Sequence, residues 1–108
     1  MTRPFALLRA GFPYFKTIGM RRMTNFPIDL AIGDMGRLYI LLRGDTGNEI
    51  RIWHWDDKDL GSIGAKGSNP GQLTWPVAIV RRTNDNLIVS DEALHRISIF
   101  DQDGSCPD

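Results

Sequence analysis

A weak internal repeat constrains this 108-residue chain more than any other feature. The segment FPIDLAIGDMGRLYI, residues 26–40, lies over WPVAIVRRTNDNLIV, residues 75–89, without a gap. Phe26 meets Trp75, Pro27 meets Pro76, Ile28 meets Val77 and Leu38 meets Leu87, all at an offset of 49. Past a longer loop in the first copy the offset falls to 47, and EIRIWHW (49–55) lies over RISIFDQ (96–102). A partial third copy opens the chain: FALLRAGFPYFKTIG (5–19) lies over IRIWHWDDKDLGSIG (50–64) at an offset of 45. The likeness is weak residue by residue but ordered along the chain. A unit that recurs at this length buries its faces by stacking on its neighbours.

Each copy reads as short strands. Residues 28–32 and 77–80 each follow a proline, which suits the start of a strand and not its middle. Asp34-Met35-Gly36 and Thr83-Asn84-Asp85-Asn86 are turn chemistry and lead into residues 38–42 and 87–90. Ile50, Ile52 and His54 alternate with Arg51, Trp53 and Trp55, and Ile97 and Ile99 alternate with Ser98 and Phe100. A fourth strand over 60–63 matches residues 15–18, and residues 5–8 match a third. Both faces carry bulky apolar groups, as expected of a sheet sandwiched between neighbours. The fold class is therefore all-β, and a period of 45 to 49 residues is that of a four-stranded antiparallel propeller blade.

The second copy, with GxNPGQLxWPVAI leading to NLIVSDxxLHRISIFDQDG, resembles the NHL repeat of six-bladed β-propellers. Gly71, Gln72, Pro76, Asp91, Arg96, Ile97, Phe100, Asp103 and Gly104 fit that pattern. The first copy is looser, with Leu42 where Asp91 stands and Glu49 where Arg96 stands; Asp45 substitutes from within the longer loop in one alignment. The resemblance implies a partial propeller divided as follows. Residues 1–24 hold outer strands of one blade and a linker, 25–64 a complete blade, and 65–108 a linker and an incomplete blade. This is fewer blades than a propeller needs, so the chain is expected to be a fragment or one part of an assembly.

The opposing residues Asp91 and Arg96, with His95 between them, admit two readings. An acid, a histidine and an arginine in one loop can bind a polar ligand. Alternatively, Asp91 ends one strand, Arg96 opens the next, and a charged pair across the hairpin mouth organises the loop. The resemblance favours the structural reading and makes Pro27, Pro76, Asp91, Arg96 and Gly104 a structural motif. Strand direction places Arg43, Asp45, Asn48, Asp91, Glu92 and His95 on one loop face, with Arg21, Arg22, Lys66 and Asn69. Those six loop residues are the candidate binding residues, and Asp34, Asn84, Asp57 and Asp103 are expected opposite.

Other chemistry finds little footing. Thirteen basic and thirteen acidic residues balance, so no basic field favours nucleic acid or an anionic membrane. Cys106 is the single cysteine, and His54 and His95 are the only imidazoles, so no metal-ligand set assembles. No phosphate loop follows the glycines of 61–72, and no nucleophile–base–acid set stands out. Residues 56–59, DDKD, lack the spacing of a calcium loop and read as a polar turn. Trp75 and Trp53, aligned with Phe26 and Phe100, read as architectural, which leaves Trp55 the freest tryptophan.

The expected function is a binding scaffold for a protein or other polymer, without cofactor or metal. Self-association through open blade edges is the accompanying expectation, with residues 15–18 of one chain completing the blade that ends at Phe100 of another. The rival is a piece of a metal-dependent propeller enzyme, resembling gluconolactonase-like hydrolases or peptide-amidating lyases, whose ligands map to no residue of this chain. The sequence assigns no compartment.

Overall fold

The computed structural model describes residues 15–19, 26–44 and 48–101. Strands β1 (Pro27–Ile32), β2 (Arg37–Leu42), β3 (Glu49–His54) and β4 (Lys58–Ile63) form an antiparallel meander in chain order. A linker follows, in which β5 (Ala65–Lys66) and β6 (Gln72–Leu73) pair in parallel. Strands β7 (Pro76–Arg81), β8 (Leu87–Asp91) and β9 (Arg96–Phe100) then make a second antiparallel meander. The described residues contain no α-helix, and the fold is all-β.

The expected prolines open the strands: Pro27 starts β1 and Pro76 starts β7, where a missing N–H costs the ladder least. The first hairpin closes through Met35 (φ 60) and Gly36 (φ 77), the left-handed pair that matches strand twist in a two-residue turn. Its counterpart bends through a 3-10 turn, Thr83–Asp85, with Asn84 and Asp85 also at positive φ.

The repeat seen in the sequence is reproduced pair by pair in the ladders. Pro27 opposes Leu42 as Pro76 opposes Asp91, and Asp29 opposes Leu41 as Ala78 opposes Ser90. Both inner strands skip one residue at the same place, Ile28 in β1 and Val77 in β7, where the register shifts. Leu38 opposes Trp53 as Leu87 opposes Phe100, and Leu42 opposes Glu49 as Asp91 opposes Arg96. A bulge shared by two copies of weak sequence likeness is a built feature of the unit.

Packing follows from which residues each pleat turns inward. The front of the first sheet carries Ala31, Tyr39, Leu41 and Ile50, and it meets Ile79, Leu87, Val89 and Phe100 on the back of the second. Leu73 of the linker is buried in the same core, and β1 lies against β7. Each fully buried side chain here contributes about 1.5–3 kcal/mol, which makes this seam the main source of stability. The back of the first sheet holds a smaller cluster of Leu38, Ile40, Leu42 and Trp53, on which Ile18 packs.

One expected strand is absent. Residues 15–18 form no strand, because the described residues provide no ladder beside them. Corner groups hold the segment instead. Lys16 Nζ donates to the Trp55 carbonyl at 2.9 Å, and the Gly19 N–H donates to Asp57 Oδ1 at 2.8 Å. The Phe15 ring stacks on Trp55 with centroids 6.4 Å apart. The strand expected at 5–8 lies outside the described residues, as do Arg21, Arg22, Asp45, Asp103, Gly104 and Cys106.

Candidate functional site

The linker between the sheets is shaped by its glycines and held by three side chains. Gly67 has φ 151, and Gln72 Oε1 occupies the space that a Cβ on Gly67 would need. That amide oxygen accepts the Asn69 N–H at 3.0 Å, and the Gln72 N–H returns to the Asn69 carbonyl at 2.9 Å, closing a tight loop. Arg96 then fixes the loop from outside, donating to the carbonyls of Ser68 (3.0 Å), Asn69 (2.8 Å) and Gln72 (3.0 Å).

Asp91 and Asn48 grip the next residues from either side. Asp91 is 2% exposed, and its carboxylate accepts the N–H groups of Thr74 (2.7 Å), Trp75 (3.1 Å) and Leu94 (3.1 Å). Burial by itself raises the Asp91 pKa, but these backbone donors outweigh it and hold the carboxyl below its ordinary value. Asn48, equally buried, donates to the carbonyls of Leu73 (3.0 Å) and Thr74 (2.9 Å) and accepts the Gly44 N–H.

The charged pair expected across the hairpin mouth is therefore not an ion pair. Asp91 and Arg96 oppose each other in the backbone register, yet their side chains make no salt bridge. The carboxylate takes amide donors, and Nη1 and Nη2 of the guanidinium take carbonyl acceptors while Nε is buried without a partner, so both side chains are turned to backbone and not to each other.

Around this frame the structure brings together Arg43, Asn48, Asp91, Glu92 and His95 with Lys66 and Asn69 at one rim. Asn48 and Asp91 are turned inward and belong to the frame. Glu92 and His95 stand in the open, with the Glu92 N–H on the Trp75 carbonyl at 3.0 Å. Asp34 and Asn84 lie at the other end of the strands, the first tied to Asp85 beside the second.

The open part of the rim is a notch of about 360 Å³ lined by Phe26, Arg43, Gly44, Asn48, Lys66, Thr74 and Trp75. Trp75 reads as architectural from its place before a proline, but its ring is 48% exposed. The Arg43 guanidinium lies over that ring, 4.1 Å from its centroid, and Nη1 donates to the Pro76 carbonyl at 3.0 Å. Phe26, the repeat counterpart of Trp75, is 64% exposed on the other side of the notch and packs against Gly44, where a Cβ would lie 2.6 Å from the ring. Two exposed rings flanked by two cations form a surface suited to an extended, partly anionic chain.

A second polar centre, which the sequence does not single out, joins the sheets at the far end. Asp85 is 2% exposed and accepts from Tyr39 Oη (2.7 Å), Arg81 Nε (2.5 Å) and the Asp34 N–H (3.2 Å). Arg81 Nη2 also reaches Asp34 Oδ1 at 2.7 Å. Burial raises the Asp85 pKa, and the donors from Tyr39, Arg81 and Asp34 reverse this to leave it lowered. Gly33 lets the backbone pass, because a Cβ there would lie 2.5 Å from Tyr39 Cε2 and 2.7 Å from Asp85 Oδ2. The buried Asp85 carboxylate gathers donors from both sheets, so the cluster reads as an inter-sheet clamp.

His54 is a half-buried edge residue whose Nδ1 accepts the Asp56 N–H at 3.0 Å, in keeping with a packed role. Trp53 is 3% exposed and donates Nε1 to Asp57 Oδ1 at 2.7 Å, as its match to buried Phe100 implies.

No family model matches the chain. A search of the curated proteins also finds no match.

The two buried acids set an acid limit on the fold. Both Asp91 and Asp85 have folded pKa values below the ordinary carboxyl value of about 3.9. Their contribution is fully present above that value and is lost as pH falls through the depressed folded values. Urea midpoints are expected to hold steady from pH 7 to about 5 and to fall steeply below about 4. A midpoint that rises on acidification would remove both acids from the account.

Proposed function

We propose that this chain is part of an NHL-type β-propeller and acts as a binding scaffold through its loop face. Two observations support the architectural half of this reading. The sheets repeat one register and one bulge, and they pack inner strand to inner strand, as neighbouring blades do. On that reading residues 25–64 are one complete blade and 65–108 carry most of another.

The binding half rests on one observation: Trp75 stands half-exposed under Arg43 in a rim notch walled by Phe26, Asn48 and Lys66. A rigid aromatic with a cation stacked on it loses little freedom on contact, which is the character of an interface anchor. The ligand class is a protein segment or similar polymer with acidic groups, which Arg43 and Lys66 complement. Zero net charge keeps a nucleic-acid ligand disfavoured.

The test is to select binders from a random-peptide library on the immobilised chain, then measure them against Arg43→Ala and Trp75→Ala. Selected peptides are expected to carry acidic residues and to lose roughly tenfold or more in affinity, about 1.4 kcal/mol, on either variant with melting unchanged. Peptides that bind both variants as well as the parent would place the contact surface elsewhere.

A further inference from the structure

The repeat has an unused half. Each sheet has a front and a back, and the present seam uses the front of the first sheet and the back of the second. The copies align at offsets of 49 and 47, so each face has a counterpart. The buried front residues Ala31 and Tyr39 correspond to Val80 and Ile88, and Ile50 corresponds to Ile97. Those counterparts form the front of the second sheet, where Val80 is 57% and Ile97 64% exposed, against 0% for Ile50.

The other pair of faces behaves in the same way. On the back of the second sheet Ile79 is 4% exposed, while its counterpart Leu30, on the back of the first, is 53% exposed. Leu30 borders a cavity of about 470 Å³ with Leu38, Ile40 and Ile18. Ile63 of β4 packs on the main seam, and its counterpart Ile18 packs on the back of the first sheet in the same manner. Residues 15–19 therefore sit where a fourth strand would lie for a sheet docked on that back face. Among the described residues the second sheet is a three-stranded meander, with β9 at its outer edge.

We infer that the back of the first sheet receives the front of the second sheet from another copy of this chain, in the geometry of the intrachain seam. Residues 15–18 of the receiving copy then pair with β9 of the incoming one and complete its fourth strand. The contact is head-to-tail, so it leaves one free front and one free back on any open chain of copies. It ends only on closing into a ring. Three copies would hold six sheets, a number that rests on the proposed propeller reading; the seam itself rests on the repeat alone.

The occupant is a second copy because each open face is the counterpart of a face that already binds its complement within the chain. The union removes Leu30, Val80 and Ile97 from water together, beside the ion pairs that Arg51 makes with Glu49 and Asp59 on the receiving back.

Sedimentation velocity on the full chain tests this without reference to any ligand. The parent is expected to sediment as a discrete oligomer. Leu30→Arg, on the receiving back, and Ile97→Arg, on the incoming front, should each give folded monomer with an unchanged far-ultraviolet circular dichroism spectrum. A parent that stays monomeric at high concentration overturns the proposal. So does a result in which only one of the two variants loses assembly, because a symmetric front-to-front or back-to-back contact needs only one face. Failure of peptide selection at the Trp75 notch would leave these outcomes untouched.

Discussion

Replacing Asp85 with alanine is expected to destabilise the chain by about 3 kcal/mol or more, the largest single-residue effect outside the apolar core. The change leaves the hydroxyl of Tyr39, itself 1% exposed, without an acceptor inside the seam. It also frees Arg81 from the short bond that orders the turn at residues 83–85. An unsatisfied buried polar group costs more than its bond contributes, so Tyr39→Phe, which removes donor and need together, should cost only about 1 kcal/mol. The two variants are compared by urea unfolding at one protein concentration, since self-association would couple stability to concentration. Equal small losses in both would mean that the far-end cluster is solvated and not a clamp.

Asp91→Ala is expected to cost about 2–3 kcal/mol, because the N–H groups of Thr74, Trp75 and Leu94 lose one shared acceptor. Arg96→Ala should cost less, about 1 kcal/mol, since the carbonyls it caps belong to a more exposed stretch that water can reach. Melting and peptide binding measured on the same samples separate the two readings of this loop. Lost stability with binding lost only in proportion to unfolding makes Asp91 part of the frame. Native-like melting with abolished binding would make it a site.

The strands of the two meanders were legible from prolines and paired apolar residues, whereas the short linker pair β5–β6 was not foreseen. Pro27 and Pro76 mark the starts, and paired apolar residues such as Leu38 and Leu87 mark the interiors, so both meanders emerge close to their expected bounds. The gap in the alignment was also legible: the change of offset from 49 to 47 falls in the β2–β3 connection, and the ladders on either side keep register. Residues 15–18 misled because an outer strand is defined by its neighbour and not by its own alternation.

The polar frame was harder to read. Asp91 and Arg96 were recognisable as hairpin residues, but the linker backbone that each one binds has no side-chain signature. Asp85 was hidden for a different reason: its counterpart in the first copy is Gly36, and its partner Tyr39 lies in the other sheet. A pairing between non-equivalent positions of two copies leaves no trace in the repeat. Trp75 shows the opposite failure. Its fixed place before a proline looked architectural, yet that place holds the backbone and leaves the ring half in water.

Amide hydrogen exchange at Thr74, Trp75 and Leu94 is the most direct measurement of the central claim, that Asp91 binds the linker into one frame with the second sheet. All three amides are expected to be protected together in the parent. All three should exchange faster together in Asp91→Ala, while the Asp34 amide, held by Asp85 at the other end, keeps its protection. Rapid exchange of Thr74 and Trp75 already in the parent, or unchanged protection in Asp91→Ala, would contradict the account.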